Sequence, residues 1–131
     1  MEYNSLFGAK HSVTVPYKSD FDRSKEHFSY QFYGASISAY LGLLTEKGYS
    51  FLGTNRANTN AFFVKSSEVG RFPHIRIREK KEYVSANVRE SRNEEGALTF
   101  LSQSESQILL GSCELTELRT QQKRLLREIL E

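Results

Sequence analysis

The segment 34–64 constrains the fold most, because it predicts one helix followed by two apolar strands. In the stretch 36–47, apolar residues recur at the spacing that lines one face of a helix, and Gly48 then favours a left-handed helix end. Residues 49–54 and 60–64 are rich in aromatic and β-branched side chains around a polar turn, which predicts an antiparallel strand pair. A helix that leads into such a pair is typical of the end of an open α/β sheet. We therefore expect an α/β fold containing part of a larger, open sheet.

The residues before this segment predict one edge strand and one aromatic loop. Residues 11–15 alternate in polarity and are stopped by Pro16, as expected for an edge strand. The stretch 17–33 carries six aromatic residues among charged ones. A loop of that composition is expected to be packed against other parts of the fold.

The residues after Val64 predict an extension of different character. Residues 74–78 alternate between apolar and basic side chains, which predicts a short strand with a basic face. The sequence Asn-Glu-Glu-Gly at 93–96 predicts a hairpin turn between strands at 86–90 and 98–101. Ser102 and Glu105 then match the capping box of a short helix that Gly111 ends.

Residues 114–131 place apolar side chains at steps of three and four, which predicts an amphipathic C-terminal helix. This helix either packs on its own domain or contacts a partner, and the interface candidates are Leu118, Leu125 and Ile129. The chain thus divides into residues 1–66, the C-terminal part of an α/β domain, and residues 67–131, a strand, hairpin and helical extension packed on the same domain.

Composition limits the classes of function. The 131 residues suffice for one domain, and 18 basic against 16 acidic residues leave a net charge of +2, which does not indicate a nucleic-acid or anionic-membrane partner. Cys113 is the only cysteine, which excludes an intramolecular disulfide and a cysteine-based zinc site. No apolar run reaches the roughly 18 residues of a membrane span. We expect a soluble, cytoplasmic protein.

One motif approaches a catalytic site. Residues 34–38 resemble the G-x-S-x-G nucleophile elbow, but Ser38 replaces the final glycine. The only histidine downstream of Ser36 is His74, which lies in the basic stretch. Capping of the following helix by Ser36 is therefore the favoured interpretation.

A second motif has the residue types of a metal site. Asp20, Asp22 and His27 could supply oxygen and nitrogen ligands to a divalent cation. Arg23 and Lys25 lie among them and would repel it. Local salt bridges and hydrogen bonds are favoured, and we expect no metal.

The best candidates for binding an anion are Arg76, Arg78, Lys80 and Lys81. Clustered cations attract phosphate, but few aromatic residues are interleaved with them, so a solvated strand face is the favoured interpretation. A G-x-G-x-x-G turn or a P-loop is not found in the sequence, and a dinucleotide or triphosphate site is not indicated.

Asn4 and Asn55 would each follow a strand if the parent fold is doubly wound. That position is the carboxyl edge, where such sheets bind ligands. Both are therefore candidate ligand-binding residues.

Several short sequences resemble, in order, the C-terminal half of a class I S-adenosylmethionine-dependent methyltransferase-like protein of the FkbM-related type, over roughly residues 2 to 101. They are Tyr3-Asn4-Ser5, Thr14-Val15-Pro16-Tyr17, Asp20-Phe21-Asp22-Arg23, Gly34-Ala35-Ser36, Gly48-Tyr49, Gly53-Thr54-Asn55 and Asn60-Ala61-Phe62-Phe63-Val64. The resemblance implies a partial Rossmann-like methyltransferase sheet. In it, residues 1–4 end the fifth strand, residues 36–47 form the next helix, and 49–54 and 60–64 form the sixth and seventh strands.

The resemblance also implies what this chain would not do alone. Proteins of this family hold the methyl donor with a glycine-rich turn after the first strand, and no part of the sequence corresponds to that turn. We expect the chain to bind no cofactor by itself and to be inactive alone, because methyl transfer needs the donor aligned with its acceptor.

Two functions remain open. In the first, the chain supplies substrate-side groups, with Asn4, Tyr33 and Asn55 as candidates, to a partner that carries the S-adenosylmethionine site. In the second, it is a non-catalytic interaction or oligomerisation module that uses an exposed sheet edge and the C-terminal helix. Both lead us to expect self-association or a protein partner.

Overall fold

The computed structural model describes residues 1–78, 85–87 and 90–131. Its α-helices are α1 (Arg23–Glu26), α2 (Ile37–Glu46), α3 (Gln103–Leu109) and α4 (Leu126–Leu130), and 3-10 helices span Ser5–Phe7 and Ser66–Arg71. Its strands are β1 (Val13–Thr14), β2 (Tyr49–Thr54), β3 (Ala61–Lys65), β4 (Glu114–Glu117) and β5 (Lys123–Leu125). The described parts form a mixed α/β structure with two small antiparallel sheets.

The predicted helix and strand pair are confirmed. The buried hydroxyl of Ser36 caps α2 by accepting a hydrogen bond from the amide of Ala39 at 3.2 Å, as the sequence favoured. Past the helix end, Gly48 has a φ of +78°, a conformation that costs glycine little. Strands β2 and β3 then pair antiparallel, from Tyr49 opposite Lys65 to Thr54 opposite Ala61.

The N-terminal segment pairs with the opposite edge of β3. Glu2 forms an antiparallel bridge with Asn60, and the amide of Ala61 donates to the carbonyl of Met1 at 2.8 Å. Because both the N-terminal segment and β2 are antiparallel to β3, they run parallel to each other, with α2 between them in the chain.

The second sheet has the order β1-β4-β5. Strand β1 lies where residues 11–15 predicted a strand, and β4 pairs with it antiparallel, with Val13 opposite Glu117. The other side of β1 is occupied as well, since the amide of Val15 donates to the carbonyl of Gly34 at 3.0 Å. The edge expected at β1 is therefore covered.

The predicted amphipathic helix over 114–131 is wrong. This stretch forms the hairpin β4–β5 followed by the five-residue helix α4. The spacing of its leucines is compatible with a helix, but pairing with β1 satisfies the backbone of β4 and overrides that preference. Thr116 and Thr120 also favour extended or turn conformations, and Gln121 takes a φ of +57° in the turn.

The capping box is confirmed, and the predicted hairpin before it is smaller than expected. Ser102 and Glu105 exchange hydrogen bonds at the start of α3. The turn at 93–96 forms, with the amide of Asn93 donating to the carbonyl of Ala97 at 3.0 Å, but pairing reduces to a bridge between Arg92 and Leu98 among the described residues. The predicted strand at 74–78 is not formed.

Two hydrophobic clusters fill the interior of the described parts of the chain. The larger one combines residues from both ends of the chain, and its buried members are Phe7, Val13, Phe32, Leu110, Leu115, Leu126 and Ile129. The smaller one packs Tyr3, Ile37 and Ala61 under α2 and the β2–β3 sheet. The aromatic loop contributes Phe32 to the core, whereas Tyr17 remains 91% exposed. Helices long and apolar enough to span a membrane do not occur in the described ranges.

Candidate functional site

A polar pocket of about 330 Å³ lies between the N-terminal segment 2–6, the turn 29–33 and the start of α3. Charged residues at its wall are Glu2, Arg23, Glu90 and Arg92. Its volume is at the lower end of the range of about 300 to 1,000 Å³ that is typical of small-molecule sites. We call this cavity the polar pocket below.

Asn4 connects two walls of the polar pocket. Its side-chain amide donates to the carbonyl of Gln31 at 2.8 Å and to that of Tyr33 at 3.0 Å. Its Oδ1 accepts from the amide of Leu6 at 3.0 Å and caps the 3-10 helix at Ser5–Phe7. Because every polar atom of this buried side chain is used, Asn4 braces the pocket.

The turn 27–31 is held by a histidine–serine contact. The amide of Ser29 donates to Nδ1 of His27 at 3.2 Å, and the Ser29 hydroxyl lies 2.8 Å from the same nitrogen. A ring nitrogen that accepts from an amide carries no proton, and burial lowers the pKa of His27, so this ring is neutral at pH 7. In this turn Tyr30 adopts a φ of +61°, a strained conformation for a bulky residue.

An arginine side chain lies over each of two tyrosine rings that line the polar pocket. The guanidinium carbon of Arg23 lies 5.3 Å from the ring centroid of Tyr33, and that of Arg92 lies 5.3 Å from the ring centroid of Tyr30. Burial, with a further contribution from the charge of Glu2, raises the pKa of Tyr33 to about 12. The Tyr33 hydroxyl therefore stays protonated at neutral pH and does not act as a base, and Glu2 lies beside it as a hydrogen-bond acceptor.

The structure brings together Asn4 and Tyr33 but not Asn55. Asn55 lies in the β2–β3 turn, where its Oδ1 accepts from the amides of Thr59 at 2.9 Å and Asn60 at 3.1 Å. This side chain organises the turn and does not line the polar pocket.

The anion-binding candidates are described in part. Arg76 and Arg78 are exposed and do not line the polar pocket. The amide of Arg78 donates to the carbonyl of Phe51 at 3.0 Å, which attaches this segment to the outer edge of β2. Lys80 and Lys81 lie outside the described residues.

The interface candidates fall into three environments. Leu118 is 38% exposed, Leu125 is half-buried, and Ile129 is 2% exposed within the larger hydrophobic cluster. Ile129 packs inside the chain, because the structure has a hairpin and a short packed helix in place of the long surface helix on which the interface prediction was based.

Neither motif weighed for catalysis or metal binding forms such a site. The Ser36 hydroxyl donates to the carbonyl of His11 at 2.8 Å and has no solvent exposure. Asp22 caps α1 by accepting from the amide of Ser24 at 3.0 Å. Within the described ranges, no group of three metal-ligating side chains is close enough to hold an ion.

Sequence reasoning missed Arg23 as a pocket residue, and it missed Gln31 and Arg92 altogether. Arg92 reaches the polar pocket from a distant part of the chain, and no local sequence pattern predicts that contact. Arg23 and Gln31 lie in the aromatic loop, whose mixture of rings and charges was the available signal.

Comparison with known proteins adds no assignment, since no protein-family model, curated protein or solved structure matches this chain. The described residues thus form a mixed α/β structure with two small antiparallel sheets and a small polar cavity.

Proposed function

We propose that this chain is the acceptor side of a methyltransferase-like α/β protein and holds a small polar molecule in the polar pocket. The observation that carries the proposal is the meeting of Asn4 and Tyr33, two of the three substrate-side candidates, at one cavity, where Asn4 braces the wall and Tyr33 lines it. They are 29 residues apart in the chain.

The strand arrangement supports the α/β part of the proposal. The N-terminal segment and β2 run parallel on either side of β3, and α2 lies between them in the chain. Parallel strands need a crossover connection, which is usually a helix. A Rossmann-like sheet is built from such units.

The polar pocket can position an acceptor but does not match a donor site. Its hydrogen-bonding groups, including the protonated Tyr33 hydroxyl, can orient a polar molecule. Glycine is not among the described residues that line it, so the close backbone approach of a nucleotide-binding turn is not provided. In this proposal S-adenosylmethionine is bound by another polypeptide segment.

Two measurements test this function. In calorimetric titration, the isolated chain should give no saturable heat with S-adenosylmethionine. The genomic DNA upstream of the codon for Met1 should encode a glycine-rich strand–helix–strand unit, and that polypeptide mixed with this chain should transfer a labelled methyl group. Saturable donor binding by the isolated chain, or upstream DNA that encodes no such unit, would contradict the proposal.

A matched pair of variants connects that activity to the polar pocket. Tyr33→Phe should lower methyl transfer by the mixture because it removes a donor from the pocket. Tyr17→Phe makes the same change at a residue that is 91% exposed outside the pocket and should have no effect. Equal activities of the two variants would mean that acceptor binding does not use this pocket.

The second candidate, an interaction module, is favoured by one other surface. Val15, Tyr17, Phe21 and Leu118 line an open groove beside β1, which we call the apolar groove. Large apolar side chains that remain exposed together often mark a protein contact. In this candidate the contact surface is the face of the β1–β4 pair, and not the C-terminal helix that the sequence predicted. The association state of the chain tests it.

A further inference from the structure

The nearly balanced charge of the whole chain conceals one basic segment. Residues 47–84 contain eight Lys and Arg residues against three acidic ones, a net charge of +5. The rest of the chain, with ten basic and thirteen acidic residues, has a net charge of −3. Strands β2 and β3 lie in this segment, so the positive charge is concentrated on one part of the fold.

The β2–β3 sheet has one covered face and one open face. Phe51 and Phe63, whose ring centroids lie 5.4 Å apart, pack against the smaller hydrophobic cluster. Because side chains alternate along a strand, Phe62 and Val64 point to the opposite face. Phe62 is 51% exposed, although β3 has the N-terminal segment on one side and β2 on the other. An aromatic ring thus lies open to solvent on this second face.

Arg78 lies on the same face as Phe62. Gly53 is opposite Phe62 in the strand register, and residues opposite each other face the same side of a sheet. The Arg78 side chain occupies the space beside Gly53, with its Cδ 3.4 Å and its Nε 3.8 Å from the position that a Cβ would take. The glycine therefore leaves room for the stem of an exposed arginine next to the open ring. We call the surface formed by Ser50, Gly53, Phe62, Val64 and Arg78 the basic sheet face.

Further cations lie around the basic sheet face. One is in the β2–β3 turn, one ends β3, and one lies two residues before Arg78 in the stretch attached to β2. These exposed residues are Arg56, Lys65 and Arg76. The acidic residue nearest to them in the described sequence, Glu68, is paired with Arg71 at 2.7 Å. Within the described ranges, the three cations and Arg78 are therefore not neutralised by an ion pair.

We propose that the basic sheet face binds a single-stranded nucleic acid. An unpaired base stacks on the ring of Phe62, and Arg78 with the surrounding cations binds the phosphates on either side of it. Sheets that present aromatic rings among basic residues recognise single strands in this way. An acidic protein or an anionic membrane would use the charge but would bring no base to stack on the ring. The inference goes beyond the proposed function and does not depend on it.

A pair of labelled oligomers tests the inference on the unaltered chain by fluorescence anisotropy. Oligodeoxyuridylate of about 12 nucleotides should bind at least about fivefold more tightly than an abasic oligomer of the same length and charge, because only the first supplies bases. Its affinity should fall about 15-fold between about 50 and 200 mM salt if three phosphates are contacted. Oligouridylate is the RNA counterpart and should bind as tightly, since neither stacking nor charge involves the sugar.

A matched pair of variants tests the stacking contact. Phe62→Leu keeps an apolar side chain but removes the ring, so it should weaken binding of oligodeoxyuridylate at least about fivefold and leave binding of the abasic oligomer unchanged. Phe100→Leu makes the same change at a ring that is 63% exposed outside the β2–β3 sheet, and it should have no effect. Both positions are exposed, so both variants should fold.

Three further variants test the phosphate contact. Arg78→Gln should reduce the slope of log affinity against log salt by about 0.7, the value for one phosphate of a single strand. Arg78→Lys keeps the charge and should keep the slope. Arg127→Gln, at an exposed arginine on α4, is the matched control and should leave the affinity and the slope unchanged.

Several results would overturn the inference. Absence of binding, or equal affinities for the oligomers with and without bases, would mean that the face does not recognise a base. Equal effects of Phe62→Leu and Phe100→Leu would place the stacking elsewhere. Displacement by polyglutamate as effective as by unlabelled oligomer would indicate an acidic protein as the partner. These results leave the proposed function untouched, because the basic sheet face shares no residue with the described lining of the polar pocket.

Discussion

Asn4 shows how one buried side chain can set the shape of a site without contacting a ligand. It is 3% exposed, and two of its hydrogen bonds join the N-terminal segment to the backbone of Gln31 and Tyr33, while a third, from the amide of Leu6, lies within that segment. Losing the side chain would leave buried backbone groups without partners. Such groups cost more than the lost bonds themselves contribute.

Replacing Asn4 by alanine should therefore destabilise the protein strongly. We expect the free energy of unfolding to fall by about 2 to 4 kcal/mol, since each unsatisfied group costs about 1 to 3 kcal/mol. Urea denaturation should show a lower midpoint at an unchanged slope. Asn60→Ala is the control, because the side chain of Asn60 makes one long bond of 3.3 Å to its neighbour Thr59. Similar midpoints for the two variants would remove the bracing role of Asn4.

Tyr33 should make stability depend on pH at the alkaline end. Burial and then the charge of Glu2 raise its pKa from 10.0 to about 12, so the fold favours the neutral phenol. Its contribution to the free energy of unfolding is complete below pH 10 and is lost as the pH rises through about 12. The absorbance difference at about 295 nm between the wild type and Tyr33→Phe should titrate near 12 in buffer and near 10 in urea, and coincident midpoints would refute the shift.

Sequence separation explains which residues of the polar pocket could be predicted and which could not. Asn4 lies in one of the short sequences that carry the family resemblance, and Tyr33 immediately precedes another, Gly34-Ala35-Ser36. Gln31 and Arg92 become pocket residues only when a chain segment about sixty positions away returns to the turn, as the 59-residue separation of Gln31 and Glu90 illustrates. A single sequence contains no local signal for such a contact.

Elements whose ends carry their own chemical signals were predictable. Ser36 caps the start of α2, Gly48 follows its end, and the Ser102–Glu105 capping box begins α3, so each signal lies next to the helix end that it marks. Strand β4 has no such signal, because its pairing partner β1 lies about one hundred residues earlier. The leucine spacing of 114–131 therefore predicts a helix, because local periodicity carries no information about pairing with a distant strand.

Two leucines of this stretch distinguish the hairpin from the helix. On a helix Leu115 and Leu118 would share one face, whereas in the structure Leu115 is fully buried and Leu118 is 38% exposed. We expect Leu115→Ala to lower the free energy of unfolding by about 3 kcal/mol. Leu118→Ala should cost less than about 1 kcal/mol, as is usual for a surface position. Equal losses in denaturant titrations would favour the helix.

At the scale of the molecule, the two ends of the chain are interdependent. Leu115, Leu126 and Ile129 complete the cluster that contains Phe7 and Val13, so the C-terminal hairpin and helix cover the N-terminal segment. The same segment carries Asn4 into the polar pocket. Loss of the C-terminal elements would therefore expose that cluster and free the N-terminal segment, which forms one wall of the pocket. This effect would be indirect, because the described residues that line the pocket end at Ser106.

This packing also decides which apolar surface remains for association. With Ile129 inside, the exposed apolar residues near β1 are those of the apolar groove, of which Leu118 belongs to the predicted interface. We expect Leu118→Glu to shift sedimentation velocity at micromolar concentration toward the monomer, because a charge in an apolar contact carries a large desolvation cost. Ile108→Glu places the same charge on a residue that is 80% exposed on α3, outside the groove, and should leave the distribution unchanged. A wild-type chain that sediments as a monomer, or equal shifts by both variants, would mean that the groove does not mediate self-association.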